Sequence, residues 1–536
     1  MFSHLLEEAR LYERQAEAAI SKKQRPVYHL TAPSGWLNDP NGFSRYKDRY
    51  HMFFQYYPYS SRWNNIHWGH VVSDDLLHWE YLPAALAPDR EYDRDGCFSG
   101  GAIELEDGRQ LLMYTSVRKE EQPGQVMREV QTQSVAVGDG INYEKVPENP
   151  VIDSDMIPEG GSRFDFRDPY LEKRPEGGYY CYLAGRDGQA GGQVLLYESD
   201  NGFQWKYVKT LIRNNNRFGV MWECPNFFPL DGKHVLIVSV MDMLPKGLEF
   251  HGGNNALCLV GDLDEETMTF TETGSMSVDY GIDFYAPQTL LTPEGRRIMI
   301  GWMQNVDAFS IRSSDAPWAG QMSVPRELSL RDGRLYQKPI RELEDYRFNK
   351  REYKDVIVSD EEGKNSGRNG ERNGERNGER NGERNGGKII QDPGEKTVCE
   401  LEGVRGRILD LMLRIRPAAD KVYRSFEMRF AQNDEFYTSL CFYPKTAVLQ
   451  IDRTFSGTRR AILNQAQCRI DTDVTDLNLR ILLDRYSAEV FIEDGRKVMT
   501  ATMYTTESAD RITFHAEGAV KIDVTKYELG RSRKSR

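Results

Sequence analysis

The segment SDDLLHWE at residues 73–80 ends on an aromatic anchor, Trp79, and recurs as VGDGINYE at 137–144, SDNGFQWK at 199–206 and, more weakly, GDLDEETMTF at 261–270. The anchors Trp79, Tyr143, Trp205 and Phe270 stand about 64, 62 and 65 residues apart, the kind of fixed period left by repeated supersecondary units. Before and between them lie short runs rich in β-branched and aromatic residues, among them HMFFQYYP, LLMYTSV, YYCYLAG and HVLIVSVM, punctuated by Gly, Asp and Asn turns. A unit of that size holds four strands and their turns. The pattern therefore predicts an all-β domain, a β-propeller whose blades surround a central channel. Four anchors and a last unit running to about Leu335 make five blades.

Working outward, the character changes beyond QKPIRELEDYR at 337–347. From Arg368 to Gly387 the chain repeats RNG and ERNG without one apolar residue, a composition that cannot pay the entropy of ordering and to which no function is assigned. Alternating runs follow, such as RILDLMLRI, SFEMRFA, AVLQIDR and AVKIDVTKYEL, switching inward and outward at period two. Antiparallel strands with one buried and one wet face read as a β-sandwich. The expected boundaries are an N-terminal amphipathic helix over 1–28, a five-bladed propeller over 29–337, and a sandwich over 338–536 with its low-complexity insertion at 363–387. The sandwich carries no evident catalytic cluster, so stabilising the propeller or pairing two copies as a homodimer are its plain readings.

Composition narrows the function. The 536 residues are 39% hydrophobic and 28% charged, with 28 Tyr, 23 Phe and 8 Trp, a globular usage that suits pleated sheets and sugar-binding surfaces. A net charge of -12 argues against nucleic acid, whose binders need a basic footprint to release counterions. The short basic tail at 531–536 reads as a solubilising terminus. Seven scattered cysteines without a CxxC pair read as reduced core residues, and neither a metal nor another cofactor is expected. Leu5, Leu6, Ala9, Tyr12, Ala16 and Ile20 fall at helical spacing, interrupted by charges, which excludes a signal core. No run approaches a membrane span and no Asn-x-Ser/Thr acceptor occurs, so the cytoplasm is the expected compartment.

Three acidic segments carry chemistry: GWLNDPNG at 35–42, FDFRDP at 164–169 and MWECPN at 221–226. Singly each could be a turn. Their phase is more telling, because Asp39, Ser99, Asp168 and Glu223 precede their anchors by about 40, 44, 37 and 47 residues. Equivalent positions near the start of each blade lie on the innermost strands, so these groups should converge at one mouth of the channel.

These residues, with HWGH at 67–70, CFSGGAI at 97–103, GWM at 301–303 and LLDRYSAEVFIEDG at 482–495, resemble glycoside hydrolase family 32, and within it bacterial intracellular sucrose and sucrose-6-phosphate hydrolases. The resemblance independently implies a five-bladed propeller and a β-sandwich. It implies a small-molecule sugar substrate, Asp39 as nucleophile, Glu223 as acid/base and Asp168 as transition-state stabiliser. It assigns sugar contacts to Trp36, Asn38, Gln55, Trp63, Phe98, Ser99, Arg167, Asp283 and Trp302. The implied reaction is hydrolysis of terminal β-D-fructofuranosides through a covalent fructosyl-enzyme. Nucleophile and acid then need opposite protonation at one pH. Burial beside Trp222 should keep Glu223 protonated, amides should keep Asp39 charged, and Arg167 should keep Asp168 ionised. His67 and His70 read as structural, since further ligands are lacking.

Three rivals share parts of this pattern. A non-catalytic sugar sensor would have lost one of the three carboxylates. Transfer of fructose to another sugar, or hydrolysis of short fructo-oligosaccharides, would use the same site. A protein-binding propeller would have blades of about 40–45 residues with a GH…WD signature.

Overall fold

Five sheets, each with four antiparallel strands in chain order, follow one another along the first part of the chain. Their first strands are Gly35–Tyr46, Gly96–Glu104, Gly161–Lys173, Met221–Leu230 and Tyr285–Leu291. Each of these packs against the first strand of the next sheet, and the fifth packs back against the first, so the inner strands form a closed ring. A short strand, Trp318–Ala319, adds to the first sheet by parallel pairing of Trp318 with Gly35 and Ala319 with Trp36. This is the expected propeller. The computed structural model describes residues 3–304, 316–360, 383–384, 387–390, 398–418, 423–457, 463–471 and 476–530. They divide into two compact units, Met1–Leu343 and Glu344–Arg536.

The recurrent turn has a common physical basis. Ser73 Oγ accepts the Leu76 N–H at 2.8 Å, and Asp75 Oδ1 accepts those of Leu77 and His78 at 2.9 and 2.6 Å. Ser199 and Asn201 serve Gly202, Phe203 and Gln204 in the same way, and Asp139 serves Ile141 and Asn142. The pivots Leu76, Gly140 and Gly202 all have positive φ. Short polar side chains stand in for a ladder partner while the chain reverses. The following aromatic then fills the gap between sheets. Tyr143 of the second sheet packs with Phe53 and Trp68 of the first, and Trp205 of the third with Leu105 and Leu111 of the second. The unit's core is thus a set of apolar layers between neighbouring sheets.

The N-terminal helix, α1 (His4–Ala19), is capped by Ser3 and buries Leu6, Ala9 and Glu13. It docks on the outermost strand of the first sheet, Glu80–Leu86. Arg10 Nε donates to the Ala84 carbonyl at 2.8 Å, and Glu13 Oε1 accepts the Ala84 N–H at 2.9 Å. Side chains thereby satisfy an edge that would otherwise offer itself to another strand.

The second unit is a sandwich of a six-stranded and an eight-stranded sheet, with antiparallel pairing throughout its described strands. In its six-stranded sheet, fully buried Asp410 is held by Arg347 and Arg480, each at 2.8 Å. Most of the 363–387 insertion and the 531–536 tail lie outside the described residues, apart from strand Glu383–Arg384 and the start of Gly387–Ile390.

Candidate active site

The inner strands are all interrupted at one level. Their registers shift between Leu37 and Pro40, Phe98 and Gly100, Arg167 and Tyr170, Glu223 and Asn226, and Tyr285 and Gln288. Four of these bulges hold a proline: Pro40, Pro169, Pro225 and Pro287. Proline has no N–H for the ladder, so the strand bulges there and re-aims the neighbouring side chains toward the axis. Asp168, Cys224 and Ala286, each just before its proline, take positive φ of 64°, 47° and 49°. The donors freed by the bulges are caught by buried side chains. Asp168 N–H goes to Thr115 Oγ1 and Ala286 N–H to Ser239 Oγ, both at 2.9 Å.

The result is a cavity of about 480 Å³, within the range of small-ligand sites, on the axis of the ring. Trp36, Asn38, Asp39, Gln55, Trp63, Phe98, Arg167, Asp168, Glu223 and Trp302 line it, so the three carboxylates named from sequence do meet. Ser99 stands behind the wall, donating to Asp39 Oδ2 at 2.7 Å and accepting a short hydrogen bond from Gln55 Nε2. Asp283 is fully buried and does not line the cavity.

Asp39 is held on both oxygens, by Ser99 on Oδ2 and by Asn38 Nδ2 on Oδ1 at 3.0 Å. Asn38 is in turn fixed by Trp36 Nε1 at 2.7 Å. Asp168 Oδ2 accepts the Cys224 N–H at 3.0 Å. The Cys224 thiol lies 3.6 Å from Asp168 Oδ2 and 3.7 Å from Asp39 Oδ2. Arg167 donates twice to Glu223 Oε1, from Nε at 2.9 Å and Nη2 at 2.8 Å. The Tyr285 hydroxyl donates to Glu223 Oε2 at 2.6 Å.

Burial pushes the Asp39 carboxyl up to about 6, against the lowering pull of the Ser99 hydrogen bond, and the charge of Glu223 adds to the rise. Burial likewise raises Asp168 to about 7. Arg167 opposes this, while Glu223 and Asp39 reinforce it. Two expectations from sequence are corrected. Trp222 and Glu223 are neighbours on a strand and point to opposite faces, so the indole, bonded to the Phe218 carbonyl, cannot desolvate the Glu223 carboxyl. Arg167 pairs with Glu223 at 2.8 Å and, 4.0 Å from Asp168, favours that group's charged form without overcoming its burial.

Glu129, Gln131, Phe164, Asp165 and Tyr285 also line the cavity and were missed. A period-two count back from Arg167 along the strand would have found Asp165. Tyr285 precedes Ala286-Pro287 as Glu223 precedes Cys224-Pro225, so the proline bulge was its signal. Among the described residues no His, Cys, Asp or Glu group is arranged to hold a metal ion. His67 Nδ1 meets the Asn65 carbonyl at 2.9 Å, and His70 Nε2 meets His51 at 3.0 Å. No described helix is long and apolar enough to cross a membrane.

Known proteins repeat this plan. The chain is 40% identical over 324 residues to the raffinose invertase of Escherichia coli, an alignment covering 60% of this chain and 66%, just under two thirds, of that protein. It is 36% identical to a sucrose-6-phosphate hydrolase of Zymomonas mobilis, over 67% of this chain and 70% of the relative. The structure of a Bombyx mori GH32 beta-fructofuranosidase superposes with a TM-score of 0.78 at 28% identity, covering 98% of each chain. The model of the glycosyl hydrolases family 32 N-terminal domain matches residues 29–339, and that of the family's C-terminal region matches residues 375–529. Matched by the family's models across both of its units, the chain belongs to glycoside hydrolase family 32.

Proposed function

We propose that the chain is a retaining β-fructofuranosidase, acting in the cytoplasm on terminal non-reducing fructofuranosides such as sucrose or sucrose 6-phosphate. The observation that carries this reading is the convergence of Asp39, Asp168 and Glu223 on one sugar-sized cavity in a family 32 chain. The catalytic work is assigned to residues 29–337, and none to the helix at 1–28 or the sandwich at 338–536.

Asp39 is the nucleophile. Its two oxygens are oriented by Ser99 and Asn38, and it must be ionised to capture the anomeric carbon as the glycosidic oxygen leaves. Glu223 is the acid, then the base that activates water. The Tyr285 hydroxyl can donate to it when it is charged and turn to accept from it when it is protonated. Asp168 accepts sugar hydroxyls. Burial and mutual repulsion, which make charge on Asp39 and Asp168 costly in the empty site, become attraction when positive charge builds on the fructosyl ring. That difference between ground and transition state is what accelerates the step. Trp36, Trp63, Phe98 and Trp302 cover C–H faces of the sugar, while Asn38, Gln55 and Arg167 meet its hydroxyls.

The test is hydrolysis of sucrose, sucrose 6-phosphate and a kestose-type trisaccharide followed by NMR. β-Fructofuranose should be the first sugar released, Asp39→Ala should abolish turnover, and Glu223→Gln should slow it by about 10²- to 10⁴-fold. Absence of any mutant-sensitive hydrolysis overturns the proposal.

A further inference from the structure

The cavity has two unlike halves. Around Asp39 stand aromatics and amides: Trp36, Asn38, Gln55, Trp63 and Phe98. On the other side, contacts run from Glu223 to Arg167 at 2.8 Å, and from Arg167 Nη1 to Gln131 at 3.3 Å and to Asp165 at 3.6 Å. Phe164 and Glu129 complete that wall. An acid protonates the oxygen that leaves, so the departing sugar lies on the Glu223 side.

The charges of that half are one-sided. Among the described residues its single lining cation, Arg167, is already committed to Glu223 and lies within 4.0 Å of Asp165 and Asp168. Asp165 is also 3.6 Å from Arg186, whereas Glu129 has no ion-pair partner among the described residues. Two further cations, Arg128 and Arg163, stack on the Phe164 ring at 4.6 and 5.4 Å without lining the cavity, and Arg163 is bound to Glu120.

We infer that this half selects an uncharged leaving sugar and rejects one carrying a phosphate, with Glu129 as the specificity-determining residue. The inference rests on the proposed role of Glu223. The carboxylates accept sugar hydroxyl protons, and the Phe164 face covers a C–H patch, as a neutral hexose requires. A phosphate of nearly two negative charges would instead face Glu129, which has no ion-pair partner among the described residues, and like charges so placed are a means of exclusion.

The experiment compares kcat/KM on sucrose and on sucrose 6-phosphate across a salt series. Sucrose should be preferred about tenfold or more. Salt should raise the value for the phosphorylated sugar by screening repulsion while leaving sucrose flat. Glu129→Gln should raise the phosphorylated-to-plain ratio by about five- to tenfold, and Glu129→Lys should turn the salt slope negative. Preference for the phosphorylated sugar, or a rate on it that falls with salt in the unmodified protein, overturns the inference and places Arg128 or Arg163 on the phosphate. An unmoved ratio in both variants overturns the role of Glu129. Hydrolysis of neither sugar would instead sink the fructosidase reading beneath it.

Discussion

Ser99 lies beside Asp39 but does not line the cavity, and its hydroxyl donates to the charged Asp39 carboxylate. Because Asp39 is raised to about 6 and must be ionised to act as the proposed nucleophile, kcat/KM should rise through about pH 6 on its acid limb. Ser99→Ala removes a donor to the carboxylate, so that limb should move to higher pH, by about one unit, and the plateau should fall. A limb that stays in place would remove Ser99 from this role. The same elevation sets a stability term. The folded chain holds the Asp39 proton more tightly than the unfolded chain, whose carboxyl titrates near 3.8, so stability is lost as pH climbs through about 6. Asp39→Asn has no charge to bury and should be more stable by about 1–3 kcal/mol at pH 8, with the gap closing toward pH 4. Urea midpoints at the two pH values measure it.

At the scale of elements, α1 holds the outer edge of the first sheet through one peptide unit, Arg10 on the carbonyl and Glu13 on the N–H of Ala84. Glu13→Ala should leave a buried donor unmet and cost about 1–3 kcal/mol in urea unfolding, while Glu13→Gln should keep most of the stability. Equal losses would show that the charge, not the acceptor, matters. The inner strands carry the opposite device, a bulge near each proline, and this explains how the site could be found without coordinates. Asp39, Asp168 and Glu223 sit beside Pro40, Pro169 and Pro225 in phase with the aromatic anchors, so repeat spacing alone placed them on one ring. Residues set there by strand alternation, such as Glu129 and Gln131, carried no such punctuation and were not legible.

For the whole molecule, the repeat predicts a ring and the inner strands form one, from Gly35–Tyr46 round to Tyr285–Leu291 and back. The polar tract has a different status. It contains nothing apolar to bury, so deleting residues 368–382 should leave kcat/KM and Tm unchanged within error. A loss of either would assign the tract a structural role that its composition does not suggest. Gly101 shows how tightly the ring closes: a Cβ there would meet the Pro169 carbonyl oxygen at 2.9 Å, so a side chain would have to part the second and third inner strands.

The sequence by itself determined the all-β class, the repeating sheet and the three carboxylates, because each is written in local patterns: turn residues that cap their own backbone, aromatics at a constant period, prolines that break a ladder. Only the tertiary structure decided the electrostatics. Which carboxylate Arg167 chooses, and that Glu129 stands without an ion-pair partner among the described residues, both depend on strands brought together from different blades. Charge interactions act through space at a few ångströms, and spacing along a chain does not record them.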